Sequence, residues 1–130
     1  MSLYFQNLYN DTIWIALVYY DAGCGPTHFR KTGWWQVDSG DTFNAWDVDL
    51  REVNQQVAFY GESGEAKWGS GNNGYYLIAN RAFDQCYDDN TNCDQWADFV
   101  LLDFGSFADV TVVLGPDAGI LNIQGSIPES

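Results

Sequence analysis

The residues best suited to ligand chemistry in this sequence are its tryptophans. Trp34 and Trp35 are adjacent in a segment with the composition of a β-strand, so their rings point to opposite faces of that strand. An exposed indole ring stacks on the apolar face of a sugar, while neighbouring Asp and Asn side chains bind its hydroxyls. The alternative is that all of these rings are core or interface residues. The candidate carbohydrate platform comprises Trp34, Trp35, Trp46, Trp68 and Trp96.

A polar loop later in the chain carries the ligand types that Ca²⁺ prefers. Oxygen-bearing side chains at alternate positions of a tight loop suit this ion. The loop lacks the Gly turn and the distal Glu of the helix–loop–helix calcium motif. It is therefore either a calcium site or a solvated, Asx-rich turn, and Ca²⁺ is the one cofactor that the sequence suggests. The candidate ligands are Asp88, Asn90, Asn92 and Asp94.

Three cysteines leave one thiol over if a disulfide forms within the chain. Cys86 and Cys93 are close in sequence and lie in a polar stretch, so they are the candidate pair, with Cys24 left free or available for an intermolecular bond. Two reduced thiols are the alternative. The cysteine spacing matches no zinc pattern.

No arrangement of residues indicates an enzyme. The sequence has a single histidine, His28, and neither a G-x-S-x-G nucleophile motif nor a phosphate-binding loop. Its 18 acidic residues make any chosen pair of carboxylates uninformative as a glycosidase signature. We therefore expect no catalytic residues.

Charge and composition restrict the partners. Five basic against 18 acidic residues give a net charge of -13 over 130 residues, which repels nucleic acid and anionic membrane surfaces. The chain lacks the run of about 18 apolar residues that a membrane-spanning helix needs, so we expect no membrane insertion. Aromatic residues make up 17%, a share that favours strands and recognition surfaces.

The elements that must position these side chains are short strands. The run from Thr12 to Tyr20 is apolar, β-branched and aromatic, which is typical of a buried strand. Turns are expected at 38–41 and 62–65, and the only helix expected is one turn at 80–83. Eight or nine short strands in a single domain predict an all-β fold, an antiparallel β-sandwich or barrel. The predicted strands are residues 3–8, 12–20, 33–37, 42–48, 55–61, 75–79, 96–104, 109–114 and 120–124.

Several motifs occur in an order that resembles a known family. They are "TIWIALVYYD", "GWW" followed by "SG", a later "RAF" with two cysteines, and "FADVTVVL". Over about residues 7–114 this order is similar to the bacterial domain of unknown function 1036 family. The most specific part is Gly33, Trp34 and Trp35 with the turn at Gly40, although the family usually has a Cys near the position of Thr42. The family carries no established activity, so the resemblance implies only a small, often exported β domain.

The two ends of the chain fall outside this resemblance. Residues 1–6 contain "LYFQ", which ends a common protease-cleavage tag, so they are either a tag remnant or an N-terminal strand. Residues 7–114 form the β domain, and 115–130 form an extension with a short apolar strand. That strand either returns to its own sheet or adds to the sheet edge of another subunit.

The sequence predicts a non-enzymatic binding or adhesion module for carbohydrate or a surface protein, extracellular or at the cell surface. The acidic charge and the scarcity of lysine favour that location, although no signal peptide is visible in the chain. The alternative function is a structural subunit of an extracellular polymer or filament. Such a homo-oligomer or fibre would assemble by strand exchange through the C-terminal or N-terminal segment.

Overall fold

The structure is a computed structural model that describes residues 3–20, 23–24, 29–46, 56–64, 66–69, 75–79, 81–87, 89, 93–103, 109–116 and 121–126. Within these ranges the chain is all β and contains no helix, which confirms the predicted fold class. The strands are β1 (Leu3–Asn7), β2 (Ile13–Tyr20), β3 (Phe29–Val37), β4 (Thr42–Trp46), β5 (Gln56–Ser63), β6 (Ala66–Trp68), β7 (Tyr75–Ile78), β8 (Phe83–Cys86), β9 (Gln95–Asp98), β10 (Val100–Asp103), β11 (Asp109–Leu114) and β12 (Leu121–Ser126).

The described residues contain twelve strands, more than the eight or nine predicted. The segment predicted as one strand at 96–104 forms β9 and β10, which pair with β7 and β5 respectively. The helical turn predicted at 80–83 is wrong where the structure describes it. Phe83 begins β8, and this strand pairs with β3. Both differences arise from strand partners that are distant in sequence.

The strands form three layers. The outer sheet has the order β12-β11-β1-β4, the central sheet has the order β10-β5-β2-β3-β8 with β6 also on β5, and β7 and β9 form a two-stranded ribbon. Strand pairing is antiparallel in the described residues except between β1 and β11, which are parallel. The architecture is a β-sandwich with a small extra layer on one side.

Strand β2 shows why the central sheet is buried on both faces. Ile13, Ile15 and Leu17 belong to the core shared with the outer sheet. Ala16 and Val18, on the opposite face, belong to the core shared with the ribbon. A strand covered on both sides is a continuous apolar run rather than an alternating one, which agrees with the prediction for residues 12–20.

Both terminal segments pair within their own chain. Strand β1 lies between β11 and β4, and its Leu3 and Phe5 are fully buried. Strand β12 pairs antiparallel with β11 along its whole length. Residues 3–7 therefore contribute a strand and core side chains to the domain.

The predicted disulfide Cys86–Cys93 is wrong. Cys24 and Cys86 form the bond, with Cα atoms 5.3 Å apart, and Cys93 is a free, half-buried thiol. The pairing of β3 with β8 places Arg30 opposite Cys86, so a cysteine six residues before Arg30 can be close to Cys86. This proximity comes from strand pairing and is not visible in the cysteine spacing.

A buried lysine joins the central sheet to the ribbon. Lys31 of β3 is fully buried, and its Nζ donates a hydrogen bond of 2.9 Å to the carbonyl of Leu77 in β7. The same ammonium lies 5.7 Å from the centre of the Tyr87 ring, within the range of a cation–π contact. Lys31 therefore has a structural role between two layers.

Candidate functional site

A β-bulge lies beside the two adjacent tryptophans. Ile15 pairs with Trp35 and Leu17 pairs with Thr32, so Ala16 alone faces two residues of β3, Gly33 and Trp34. An extra residue of this kind redirects side chains and is common beside binding sites. The Gly33–Trp34 peptide bond is cis.

Trp34 lies on the ribbon face of the central sheet. Its ring packs edge-to-face against Tyr60 and Phe83, at centroid distances of 6.0 and 6.1 Å. Its Nε1 donates a hydrogen bond of 3.1 Å to the carbonyl of Ala79. The chain thus satisfies the polar edge of the indole and fixes the ring in one orientation.

Trp35 lies on the opposite face, as the sequence predicts. Its ring stacks on Phe43 of β4 at 5.5 Å with an interplanar angle of 24°. Its Nε1 donates a hydrogen bond to Oγ1 of Thr32, and 41% of the residue remains exposed. Trp35 is therefore an ordered aromatic ring at the surface beside the outer sheet.

A cleft opens where the ribbon no longer covers the central sheet. We call it the Trp34 cleft, and it has a volume of about 360 Å³. This volume is within the roughly 300–1,000 Å³ typical of small-molecule sites. Its lining combines two indole rings, one carboxylate and one guanidinium, contributed by Trp14, Trp34, Glu62, Arg81 and Ala82.

Strand register brings three of these residues together. Trp14 of β2 pairs with Glu62 of β5 on one side and with Gln36 of β3 on the other. Trp34 lies two residues from Gln36 on β3, so strand alternation places it on the same face as Trp14. Trp14 is 41% exposed, so its ring is available to a ligand.

The carboxylate of Glu62 is fixed by two donors. The hydroxyl of Tyr60 donates to its Oε2 at 3.1 Å, and Nε2 of Gln95 donates to the same oxygen at 3.4 Å. Within the described part of the chain, Oε1 accepts no hydrogen bond. Burial, reinforced by the adjacent Glu62 carboxylate, raises the pKa of Tyr60, so this phenol stays a neutral donor.

A second cleft adjoins the first. It has a volume of about 440 Å³ and shares Trp34 and Ala82 with the Trp34 cleft. It also includes Gly33 and Phe83. These residues lie so close together that a Cβ at Gly33 would come within 2.6 Å of the Phe83 ring. The remaining lining residues are Thr32, Trp35 and Asp84.

The structure does not unite the five predicted tryptophans in one platform. Trp34 and Trp35 line the second cleft together. Trp68 is fully buried against Tyr9 in the core beneath the outer sheet, so its assignment as a ligand residue is wrong. Trp96 is 65% exposed on β9 of the ribbon and does not line either cleft. The side chain of Trp46 lies outside the described residues.

Most of the predicted calcium loop also lies outside the described residues, namely Asp88, Asn90 and Asn92, as does His28. Asp94 is exposed, and its backbone N–H donates a hydrogen bond of 3.1 Å to the carbonyl of Ile78. No group of three or more His, Cys, Asp or Glu suited to a metal occurs in the described parts of the chain. The calcium site stays a prediction.

Sequence reasoning missed Trp14, Glu62 and Arg81. These residues come from three distant segments, and each is unremarkable in its local context. Trp14 lies inside the apolar run of β2, and Glu62 lies beside a hairpin turn. The signal that marks this site is the position of Glu62 opposite Trp14 in the strand register. Only the pairing of β2 with β5 reveals it.

No family model, curated protein or solved structure matches this chain. The resemblance to the domain of unknown function 1036 family stays a prediction.

Two further observations concern the environment of the protein. The Cys24–Cys86 disulfide indicates an oxidising compartment, because such bonds are rare where thiols are kept reduced. In the described residues there is no helix that is long and apolar enough to cross a membrane.

Proposed function

We propose that this protein is a non-enzymatic, extracellular or cell-surface β domain that binds carbohydrate through the Trp34 cleft. The observation that carries the proposal is the lining of that cleft. An ordered indole ring, that of Trp34, and the partly exposed ring of Trp14 are placed beside an anchored carboxylate and a guanidinium. Rings stack on the apolar face of a sugar, and Glu and Arg exchange hydrogen bonds with its hydroxyls.

The arrangement is preorganised for binding. Trp34 is held by Ala79, Tyr60 and Phe83, and Glu62 is held by Tyr60 and Gln95. Rigid side chains lose little conformational entropy when a ligand binds, so more of the contact energy contributes to affinity. The disulfide supports export of the protein. The net charge of -13 disfavours nucleic acid and supports a ligand that is neutral or whose charge is complementary to the cleft.

The test is a glycan array followed by titration of intrinsic tryptophan fluorescence with any glycan that binds. Trp14→Ala removes a partly exposed ring from the cleft and should weaken binding about tenfold. Stacking of a nucleic-acid base on an aromatic side chain contributes on the order of 1–3 kcal/mol to binding, and we expect a comparable contribution from a stacked sugar ring. The matched control is Trp96→Ala, which removes a more exposed ring that does not line the cleft.

Equal losses in the two variants would show that exposed tryptophan in general, and not the cleft, causes binding. An array without hits would contradict carbohydrate binding, and a surface protein captured through the same cleft would replace the ligand class. Turnover of any bound glycan would contradict the non-enzymatic role.

The polymer alternative requires β1 or β12 to leave its own sheet. Leu3 and Phe5 of β1 are core residues, and β12 is paired with β11. We therefore favour the binding module. Light scattering at high protein concentration tests the alternative directly, because strand exchange would give a mass that grows with concentration.

A further inference from the structure

Arg81 brings a positive charge to the Trp34 cleft. Arg81 is exposed, and it forms no ion pair within the residues that the structure describes. Arg30 shows the contrast, because its guanidinium contacts the carboxylate of Asp84 at 2.8 Å. Arg81 thus differs from Arg30 in having no acidic partner among the described residues.

The acidic residue in the same cleft has other partners. Both hydrogen bonds that Glu62 accepts in the described structure come from Tyr60 and Gln95. Glu62 and Arg81 line one cleft, yet no ion pair joins them in the described part of the chain. The cleft therefore presents an anchored acceptor, Glu62, and a separate positive charge, Arg81, together with two indole rings.

This separation defines the ligand by its chemistry. The guanidinium has only donors, in a planar fork that matches a carboxylate, and a carboxylate such as Glu62 has only acceptors. A complementary ligand carries an apolar ring face for the indoles, hydroxyl donors for Glu62 and a carboxylate for Arg81. A neutral sugar supplies the first two features and lacks the third.

We propose that the Trp34 cleft prefers carboxylated sugars, of the uronic or sialic acid class, over neutral sugars. Arg81 binds the ligand carboxylate, Glu62 accepts from a hydroxyl, and Trp14 and Trp34 contact the ring. This inference rests on the proposed carbohydrate-binding function. The net charge of -13 opposes any anion at long range, so the preference depends on direct contact with Arg81.

The experiment compares three probes bound to the intact protein. Each probe is the same polymer scaffold carrying one sugar, β-glucuronide, sialoside or β-glucoside, at equal density. Biolayer interferometry measures the affinity of the protein for each probe. The glucuronide and glucoside differ by a carboxylate in place of a hydroxymethyl group. We expect at least one acidic probe to bind about tenfold more tightly than the glucoside, as expected for a charge-assisted hydrogen bond at an exposed site.

Arg81→Gln should remove this preference, because the acidic probes lose a charge-assisted hydrogen bond whereas the glucoside loses at most a weaker hydrogen bond between Arg81 and a hydroxyl. The matched control is Lys67→Gln. It removes one positive charge from an exposed residue outside the cleft lining and should retain the preference. Circular dichroism should show the same sheet signal for all three proteins.

The outcomes separate this inference from the proposed function. Binding of neutral glycans without an acidic preference would overturn the inference and leave the carbohydrate function standing. An acidic preference that survives in Arg81→Gln would overturn the role of Arg81. Failure of all three probes, together with an array without hits, would overturn both proposals.

Discussion

The two faces of the central sheet are covered to very different extents. One face packs against the four-stranded outer sheet, and its core contains large side chains such as Ile15, Phe59 and Trp68. Among the described residues, the other face packs against the two-stranded ribbon. Its core combines small residues with aromatic rings and includes Ala16, Ala58, Tyr60, Ile78, Ala79, Phe83, Ala97 and Phe99.

The difference explains where a binding site is available. Four strands cover the first face with fully buried aliphatic and aromatic side chains, which contribute most to stability. Among the described residues the ribbon covers the second face incompletely and leaves an opening, where Trp14 of β2 is 41% exposed. Trp14, Trp34 and Glu62 lie at that opening. The well-covered face stabilises the domain, and the partly covered face presents the cleft.

The largest expected effect comes from truncating the well-covered face. Phe59→Ala removes a fully buried ring that packs edge-to-face on Phe5 at 5.2 Å. The lost burial and the cavity should lower the free energy of unfolding by about 3–5 kcal/mol. Phe99→Ala, on the ribbon face, should cost less, at the lower end of that range or about 3 kcal/mol, because its core contains smaller side chains. Urea unfolding measures both, and the reverse order would refute the proposed difference between the faces.

The next effect concerns the disulfide at the end of β8. Cys24 and Cys86 are 62 residues apart, so their bond greatly restricts the unfolded chain. The double variant Cys24→Ser, Cys86→Ser should lose about 2–4 kcal/mol of stability. Cys93→Ser is the control and should change stability by less than about 1 kcal/mol, because this thiol forms no bond. Equal effects in urea unfolding would contradict the Cys24–Cys86 pairing, as would a Cys86–Cys93 peptide in non-reducing mass spectrometry.

A smaller effect is expected at the contact between Gly33 and Phe83. A Cβ on Gly33 would lie 2.6 Å from Cε1 of Phe83, so the ring has to move. Gly33→Ala should destabilise the protein by about 1–3 kcal/mol, the usual cost of overpacking. The same change in a Phe83→Leu background should cost less, since the clashing ring atoms are gone. An equal cost in both backgrounds would show that the close approach to Phe83 is not the cause.

The smallest effect is a pH dependence at the base of the cleft. The pKa of Tyr60 is raised above its ordinary value of 10.0, chiefly by burial and then by Glu62. The folded protein keeps this proton at a pH where the unfolded chain releases it, so stability falls as the pH rises above about 10. Below that pH the phenol is neutral in both states and contributes no slope.

Tyr60→Phe should therefore show a shallower loss of stability between about pH 9 and 11 than the unaltered protein does. Urea unfolding over that range gives the comparison, and ultraviolet absorbance of tyrosinate monitors the ionisation itself. Parallel curves for the two proteins would contradict the raised pKa and with it the buried contact between Tyr60 and Glu62.

Features with a local cause follow from the sequence. The apolar run of β2 predicts a strand buried on both faces, and the structure confirms it. The turn at Asp38 closes with a hydrogen bond from the N–H of Asp41 to the carbonyl of Asp38, and Gly40 has a φ of 84°. Adjacent residues of a strand face opposite sides, so the divergence of Trp34 and Trp35 is equally local in origin.

Features that depend on which strands pair are decided only by the tertiary structure. The parallel contact of β1 with β11 and the bond between Cys24 and Cys86 each join segments that are far apart in the chain. The Trp34 cleft likewise combines residues of β2, β3 and β5 with Arg81. The local sequence determines which side chains of a strand share a face. Which strands pair with it depends on the apolar area buried over the whole fold. For this reason the sequence by itself determined the all-β class and the facing of individual side chains, and the folded chain determined which of them share a site.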